Sequence, residues 1–221
     1  INLRREWSVL MMKTVIFIGA PGVGKGTYTS KIVDKYGWFH VSPGELLREN
    51  VREKTELGNK IAAVMQSGDL IDDDLVIGVI KNAIEGKDSV LFDGFPRTVY
   101  QAEKLDDFAK PSLIINFVAD EEKIVERLSG RRVCPECEAI FHVKNIPSKV
   151  EGVCDKCSGA LVQRKDDLPE AIKERLRVFH ELTQPVVEFY REREEFKVVD
   201  ANSDDVDSIV ENTMNIINVD Q

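Results

Sequence analysis

At 221 residues, 43% of them hydrophobic, the chain is long enough to bury one sizeable core with small insertions, and short for two large independent domains. Its 30 Lys and Arg stand against 39 Asp and Glu, and the net charge of −9 excludes a protein that binds nucleic acid or acidic membrane by bulk attraction. Any anionic ligand has to be held locally.

No apolar run approaches the roughly 20 residues of a bilayer span. The first ten residues, INLRREWSVL, lack the long apolar stretch and small-residue cleavage site of an export signal. A cytoplasmic location is expected, with residues 1–11, which precede Met12, read as an extension outside the fold. Four cysteines in such a chain point to metal or redox chemistry before structural disulfides.

In chain order, residues 14–18 (TVIFI) form a short β-branched strand that ends at a glycine-rich turn, and 27–36 read as a helix. Residues 38–41 are a weaker strand candidate. Residues 42–71 read as helices, with Leu46 and Leu47, then Ile61, Val64 and Met65, and no convincing strand. Ser89–Phe92, Leu113–Val118 and Phe196–Val199 are further buried-strand candidates separated by helix-like segments. Residues 130–167 carry all four cysteines among short β-like pieces. Short apolar strands alternating with helices predict an α/β fold, a central parallel sheet of five strands covered on both faces.

The segment Gly19–Thr27, GAPGVGKGT, directly follows the first strand and matches the phosphate-loop pattern. Glycines let the backbone turn so that successive N–H groups of Gly22, Val23, Gly24, Lys25, Gly26 and Thr27 face inward. The helix that follows adds its positive end, and Lys25 reaches the transferred phosphate. Gly26 stands where the general pattern has Ser or Thr, so a hydroxyl near a magnesium ion comes from Thr27 or is absent.

Cys134 with Cys137 and Cys154 with Cys157 make two CxxC pairs, 16 residues apart. That spacing suits a closed tetrahedral four-thiolate site, which is structural because no coordination position stays open. A pair of disulfides and a nucleic-acid-binding ribbon are the competing readings. The ribbon is disfavoured because residues 130–167 hold seven Lys/Arg and six Asp/Glu, with no basic stripe.

GAPGVGKGT at 19–27 is followed by VSPGELLR at 41–48, LFDGFPRTVYQ at 91–101, RLSGRR at 127–132, QRKDD at 163–167 and ERL at 174–176. In this ordered series, from about Met12 to the C-terminus, the chain resembles the adenylate kinase family. The resemblance implies a phosphate-loop three-layer core at 12–41, 72–129 and 168–221, an AMP-binding insertion at 42–71 and a zinc-binding lid at 130–167. It implies ATP and AMP as substrates, ADP as product, Mg²⁺ with the ATP, structural Zn²⁺ in the lid, and a monomer. Lid context and spacing favour zinc over iron without separating them outright. No nucleic-acid or membrane partner is expected.

Carried over by position, Arg48, Arg97 and Gln101 look like AMP ligands, the arginines on phosphate and the glutamine on the adenine edge. Pro43, Gly68, Leu70, Ile71 and Gly94 fall where the family holds AMP. Arg127, Arg131, Arg164 and Arg175 match arginines around the ATP phosphates and the moving phosphoryl group, with Arg127 also placed to stack on the ATP adenine. Arg164 and Arg175 serve AMP as well, and Arg132 is a less secure neighbour. His142 resembles a position near that adenine, and a surface histidine is an equal reading. Asp93 looks like the carboxylate that orients magnesium through its water shell. Asp166 and Asp167 match an acidic pair with hinge and lid-closing roles.

Pro43 departs from the usual threonine and offers neither hydroxyl nor N–H donor. Glu45 replaces a more frequent aspartate, and Tyr28 replaces a frequent glutamine with no role assigned. Transfer between two phosphates needs alignment and charge neutralisation rather than a base, because the attacking AMP oxygen is already anionic. Lys25, Arg97, Arg131, Arg164 and Arg175 are expected to carry the chemistry. The rival readings are another nucleoside monophosphate kinase, with a UMP, CMP or GMP acceptor or a GTP donor, and a nucleotide-gated switch.

Overall fold

The computed structural model describes residues 13–67 and 71–219; residues 1–11, Gly68 and Leu70, on which expectations were placed, lie outside the described residues. β1 (Lys13–Ile18) runs into the glycine loop and α1 (Lys25–Tyr36), and β2 (Phe39–Val41) follows. Two helices, α2 (Pro43–Arg52) and α3 (Glu56–Ser67), then interrupt the strand–helix rhythm, as their sequence predicts. After α4 (Asp73–Ile84) come β3 (Ser89–Asp93), α5 (Val99–Phe108), β4 (Leu113–Val118) and α6 (Glu121–Gly130). A small hairpin of β5 (Arg131–Val133) and β6 (Ile140–His142) opens the cysteine region. α7 (Pro169–Val178), α8 (Gln184–Arg191), β7 (Phe196–Asp200) and α9 (Val206–Val219) complete the chain.

The main sheet has five strands in the order β2-β3-β1-β4-β7, every pairing parallel, as expected for this class. Alternation along β1 explains the three layers, because successive side chains of a strand point to opposite faces. Val15 and Phe17 pack with Ile32 of α1 and with Ile209, Val210 and Ile217 of α9. Ile16 and Ile18 pack on the other face with Ile80 of α4, Leu105 of α5, and Val187 and Tyr190 of α8. β1 is therefore apolar on both sides. The weak strand candidate at 38–41 is β2, an edge strand that pairs only with β3, and Phe39 there is 36% exposed.

Leu47 of α2 and Ile61 of α3 are buried and belong to the same core as α4, so the two inserted helices are packed onto the sheet layer. The cysteine region has its own small core of Cys134, Ala139, Phe141 and Cys154, with Leu161 against it. Among the described residues, no helix is long and apolar enough to cross a membrane.

Candidate active site

The carboxyl end of β1 opens into residues 19–24, and Gly24 caps α1 with φ 113°, a conformation that L side chains rarely adopt. A side chain at position 24 would also collide with the ring of Tyr28, whose atoms lie 2.5 Å from where its Cβ would stand. The N–H groups of Gly22, Gly24, Lys25 and Gly26 have no acceptor among the described residues. They form a ready anion cradle at a helix N-terminus. The Val23 side chain is fully buried, so its part in the loop is its backbone.

Lys25 Nζ lies back over this loop and donates to the carbonyls of Gly19 at 2.7 Å and Ala20 at 3.1 Å. Burial holds its pKa down at about 8, and Arg97, Arg175 and Arg131 add to the depression against the pull of Asp93. Below pH 8 the ammonium is charged, and this group leaves polyphosphate affinity unchanged there. Above it the free protein has lost a proton that the bound anion demands, so affinity falls by up to tenfold per pH unit. Calorimetric titration of ATP should show a loss of about tenfold between pH 8 and 9.5. The unliganded fold behaves oppositely: between pH 8 and the ordinary lysine pKa the unfolded chain binds the extra proton, so its stability gains with rising pH from this group.

A cavity of about 500 Å³ extends from the loop to α2, α7 and the cysteine region. Eight Lys or Arg side chains line it against four carboxylates, inside a protein of net charge −9. The structure divides the expected arginines into two kinds. Arg131 gives Nε–H and Nη2–H to Asp167, at 2.7 and 2.5 Å, and Arg175 gives Nη1–H to the same carboxylate at 2.9 Å. Asp167 is fully buried. Arg48, Arg97 and Arg164 have no carboxylate within 4 Å among the described residues. Among the described residues the Arg97 guanidinium donates to the Gly94 carbonyl, at 2.9 Å through Nε. Burial and neighbouring guanidinium groups push Arg97 and Arg164 down to about 10. They stay charged at neutral pH, so the site stores cation repulsion that an anion would relieve.

Arg127 is tied to backbone carbonyls. Its Nη1 donates to the carbonyls of Val23 at 3.1 Å and Ala201 at 2.8 Å, and its Nη2 to Ser203 at 2.7 Å. Those donors hold the loop at the edge of the cleft, which Arg127 lines. Arg132 is likewise spent on the carbonyls of Arg131 and Ser129. His142 is buried, with Nδ1 accepting from the N–H groups of Lys144 and Asn145 at 3.1 Å each. Its Nε2 lies 3.3 Å from the Glu126 carbonyl, which makes Nε2–H the donor there. Both ring nitrogens of His142 are thus occupied within the chain, while the residue lines the cleft.

Asp93 ends β3 beside the loop, 9% exposed. His40 stands 3.8 Å from both Asp93 Oδ2 and Glu45 Oε2, an ion-pair distance too long for a hydrogen bond. Burial alone would lower the His40 pKa, and the two carboxylates more than reverse that. Thr27, Pro43, Gly94, Ile71 and Gln101 line the same cavity, Pro43 as the first residue of α2. Gln101 is 2% exposed on the first turn of α5. Arg52 on α2 ion-pairs with Glu138 of the cysteine region at 3.2 Å, so the two inserted segments meet across the cleft.

Sequence reading missed Tyr28. Its ring is buried against Phe117, and its hydroxyl donates at 3.0 Å to the Val23 carbonyl that Arg127 also holds. The only signal in the chain was an aromatic on the buried face of α1, which reads as ordinary core.

The four cysteine sulfurs lie within 4.8 Å of one another, with Cys134–Cys157 at 3.3 Å and Cys137–Cys154 at 3.5 Å. A tetrahedron of Zn–S bonds requires sulfurs about 3.8 Å apart, whereas a disulfide needs about 2.05 Å. The thiols therefore fit one tetrahedral metal and not two disulfides. Each pair is a matched turn: Glu138 N–H donates to the Cys134 carbonyl and Ser158 N–H to the Cys154 carbonyl, both at 2.9 Å. Gly159 is needed because a Cβ there would lie 2.9 Å from Glu136 and 3.2 Å from Cys134 Sγ.

Anion cradles of this build, at the tip of a parallel sheet, belong to phosphate-loop nucleotide enzymes, and unpaired guanidinium groups across the cleft suit one that passes phosphate to a second phosphate. Residues 17–195 match the model of the family described as adenylate kinase. A protein of Borrelia turicatae named adenylate kinase is 39% identical over 206 residues, 92% of this chain and 98% of its own length. One of the same name from Thermosipho africanus is 39% identical over 211 residues, with the same coverage of both chains, and one from Caldicellulosiruptor saccharolyticus is 45% identical over 187 residues, 81% and 87%. The chain belongs to the adenylate kinase family, and it is a nucleoside monophosphate kinase by class.

Proposed function

We propose that the chain catalyses the reversible transfer of the terminal phosphoryl group of ATP to AMP, yielding two ADP. The observation that carries this reading is the set of three guanidinium groups without carboxylate partners among the described residues, Arg48, Arg97 and Arg164, lining the same cleft as the lysine-bearing loop. The loop N–H groups and Lys25 hold the ATP phosphates, with Arg127 and His142 against its base. Arg48 and Arg97 hold the AMP phosphate, and Pro43, Ile71, Gly94 and Gln101 surround its base and sugar. Arg131, Arg164 and Arg175 neutralise the equatorial oxygens of the moving group. Asp167 orients two of those arginines from beneath. In-line placement supplies most of the acceleration, and closure keeps out water as a competing acceptor.

The same reading makes residues 42–71 the acceptor-binding insertion and 130–167 the lid of a core formed by 12–41, 72–129 and 168–221. Asp93 would orient Mg²⁺ through water, and that ion supplies charge neutralisation on the ATP phosphates. Cys134, Cys137, Cys154 and Cys157 would hold Zn²⁺, which supplies folding free energy to a lid with a small core of its own. Metal analysis should find a single zinc, and stripping it with a strong chelator should lower the melting temperature by about 10 °C. Retention of full stability without metal would count against the zinc site. The enzyme is read as a cytoplasmic monomer acting on free nucleotides.

A coupled assay with ATP-Mg²⁺ against AMP, GMP, CMP and UMP tests the proposal, and AMP should be strongly preferred. Preference for another monophosphate would make Pro43, which removes a hydroxyl from the acceptor pocket, the sign of a different acceptor.

A further inference from the structure

Gln101 is a carboxamide with a donor end and an acceptor end, and a free amide could present either to a base. Its surroundings remove that choice. Gln101 Nε2 donates to Asp73 Oδ1 at 2.6 Å, and Gln101 Oε1 accepts the backbone N–H of Arg97 at 2.7 Å. A carboxylate only accepts and a backbone N–H only donates, so the partners dictate which end is which. Turning the amide over would set its oxygen against the Asp73 carboxylate and its NH₂ against the Arg97 N–H.

Asp73 is itself fixed. It is the first residue of α4, after the Asp72 cap, and its Oδ2 accepts the Thr98 hydroxyl at 2.7 Å. The same Thr98 oxygen caps α5 by accepting the Gln101 N–H at 3.1 Å. Tyr100 donates to Asp74 at 2.9 Å, a second tie between α4 and α5.

We propose that Asp73 is a specificity-determining positioning residue: it locks the Gln101 amide so that the pocket reads a 6-aminopurine and rejects a 6-oxopurine. This rests on the reading that Gln101 faces the acceptor base. Adenine presents a donor at N6 and an acceptor at N1, which a carboxamide can pair at once. Guanine and hypoxanthine present the reversed pattern, an acceptor at O6 and a donor at N1. They need the amide turned over, and Asp73 together with the Arg97 N–H opposes it.

The test compares kcat/KM for AMP, GMP and IMP, with ATP-Mg²⁺ as donor, in the wild-type protein and in Asp73→Asn. Asparagine can donate as well as accept, so of the two partners only the Arg97 N–H still opposes turning the Gln101 amide. The AMP-to-GMP and AMP-to-IMP ratios should narrow by about tenfold or more, with KM for AMP rising more than kcat falls. Thr98→Val, which frees Asp73 Oδ2 and also uncaps α5 at the Gln101 N–H, should move both ratios the same way by less. Activity falling equally on all three substrates in both variants would overturn the lock and leave Asp73 a structural residue. The wild-type protein gives a readout independent of variant folding. The Gln101 side-chain amide protons, assigned by their absence in Gln101→Leu, should exchange with solvent far more slowly than those of a surface glutamine. Fast exchange overturns the proposal. A wild-type protein that did not phosphorylate AMP would refute the acceptor assignment instead, which separates the two failures.

Discussion

Replacing Lys25 with methionine should lower kcat by about 10³-fold or more while leaving the melting temperature unchanged or raised. The rate falls because Nζ is the cation that the loop itself supplies, held to the Gly19 and Ala20 carbonyls beside the N–H groups proposed to take the terminal phosphates of ATP. Methionine keeps the length and volume of the stem and removes only the charge. Stability should not fall, because the ammonium is buried without a carboxylate in contact and burial depresses its pKa to about 8. The unliganded fold carries that charge at a cost. Steady-state kinetics and calorimetric melting on the same preparation separate the two effects. Near-normal turnover in the variant would refute the mechanism.

Asp167→Asn should act in the opposite sense, on stability first. The carboxylate is wholly buried and serves two guanidinium groups, with three N–H donors of Arg131 and Arg175 between 2.5 and 2.9 Å. Asparagine keeps the shape but leaves two partly buried cations facing a neutral amide. Breaking a buried pair costs about 3–5 kcal/mol. In a chain of this size that corresponds to a melting temperature lower by about 10 °C. Activity should fall with it, because both arginines lose the partner that aims them. Arg97→Ala provides the contrast: Arg97 has no carboxylate partner, so its loss should cost AMP turnover and little stability. Equal melting temperatures for wild type and Asp167→Asn would contradict this division of the arginines.

The parts of the site that were legible in the sequence are those encoded over short spans. GAPGVGKGT places its glycines, lysine and following helix within nine residues, and each CxxC pair brackets its own turn. The strands were readable wherever both faces are buried, as in β1, and faint in the edge strand β2, where Phe39 meets solvent. What stayed illegible is the pairing of groups distant in sequence. Arg131 and Asp167 lie 36 residues apart, and nothing in RLSGRR says which arginine the carboxylate will claim. Arg127 sits in the same motif yet spends its donors on the carbonyls of Val23, Ala201 and Ser203, the last 76 residues away. Asp73 and Gln101 are 28 residues apart, and Asp73 sits in a run of three aspartates that reads as a helix-cap cluster. Tyr28 was opaque because its acceptor is a backbone carbonyl, which has no identity in sequence.

Cations without carboxylate partners among the described residues line one cleft, which is proposed to gather two sets of phosphates. Calorimetric titration of a dinucleoside polyphosphate that spans an ATP site and an AMP site tests it most directly. Stoichiometry should be one ligand per chain, with affinity well beyond that of ATP or AMP alone, and Arg97→Ala should reduce it to the affinity of ATP. If the spanning ligand binds the wild-type protein no more tightly than ATP does, the two sites do not face each other and the account is wrong.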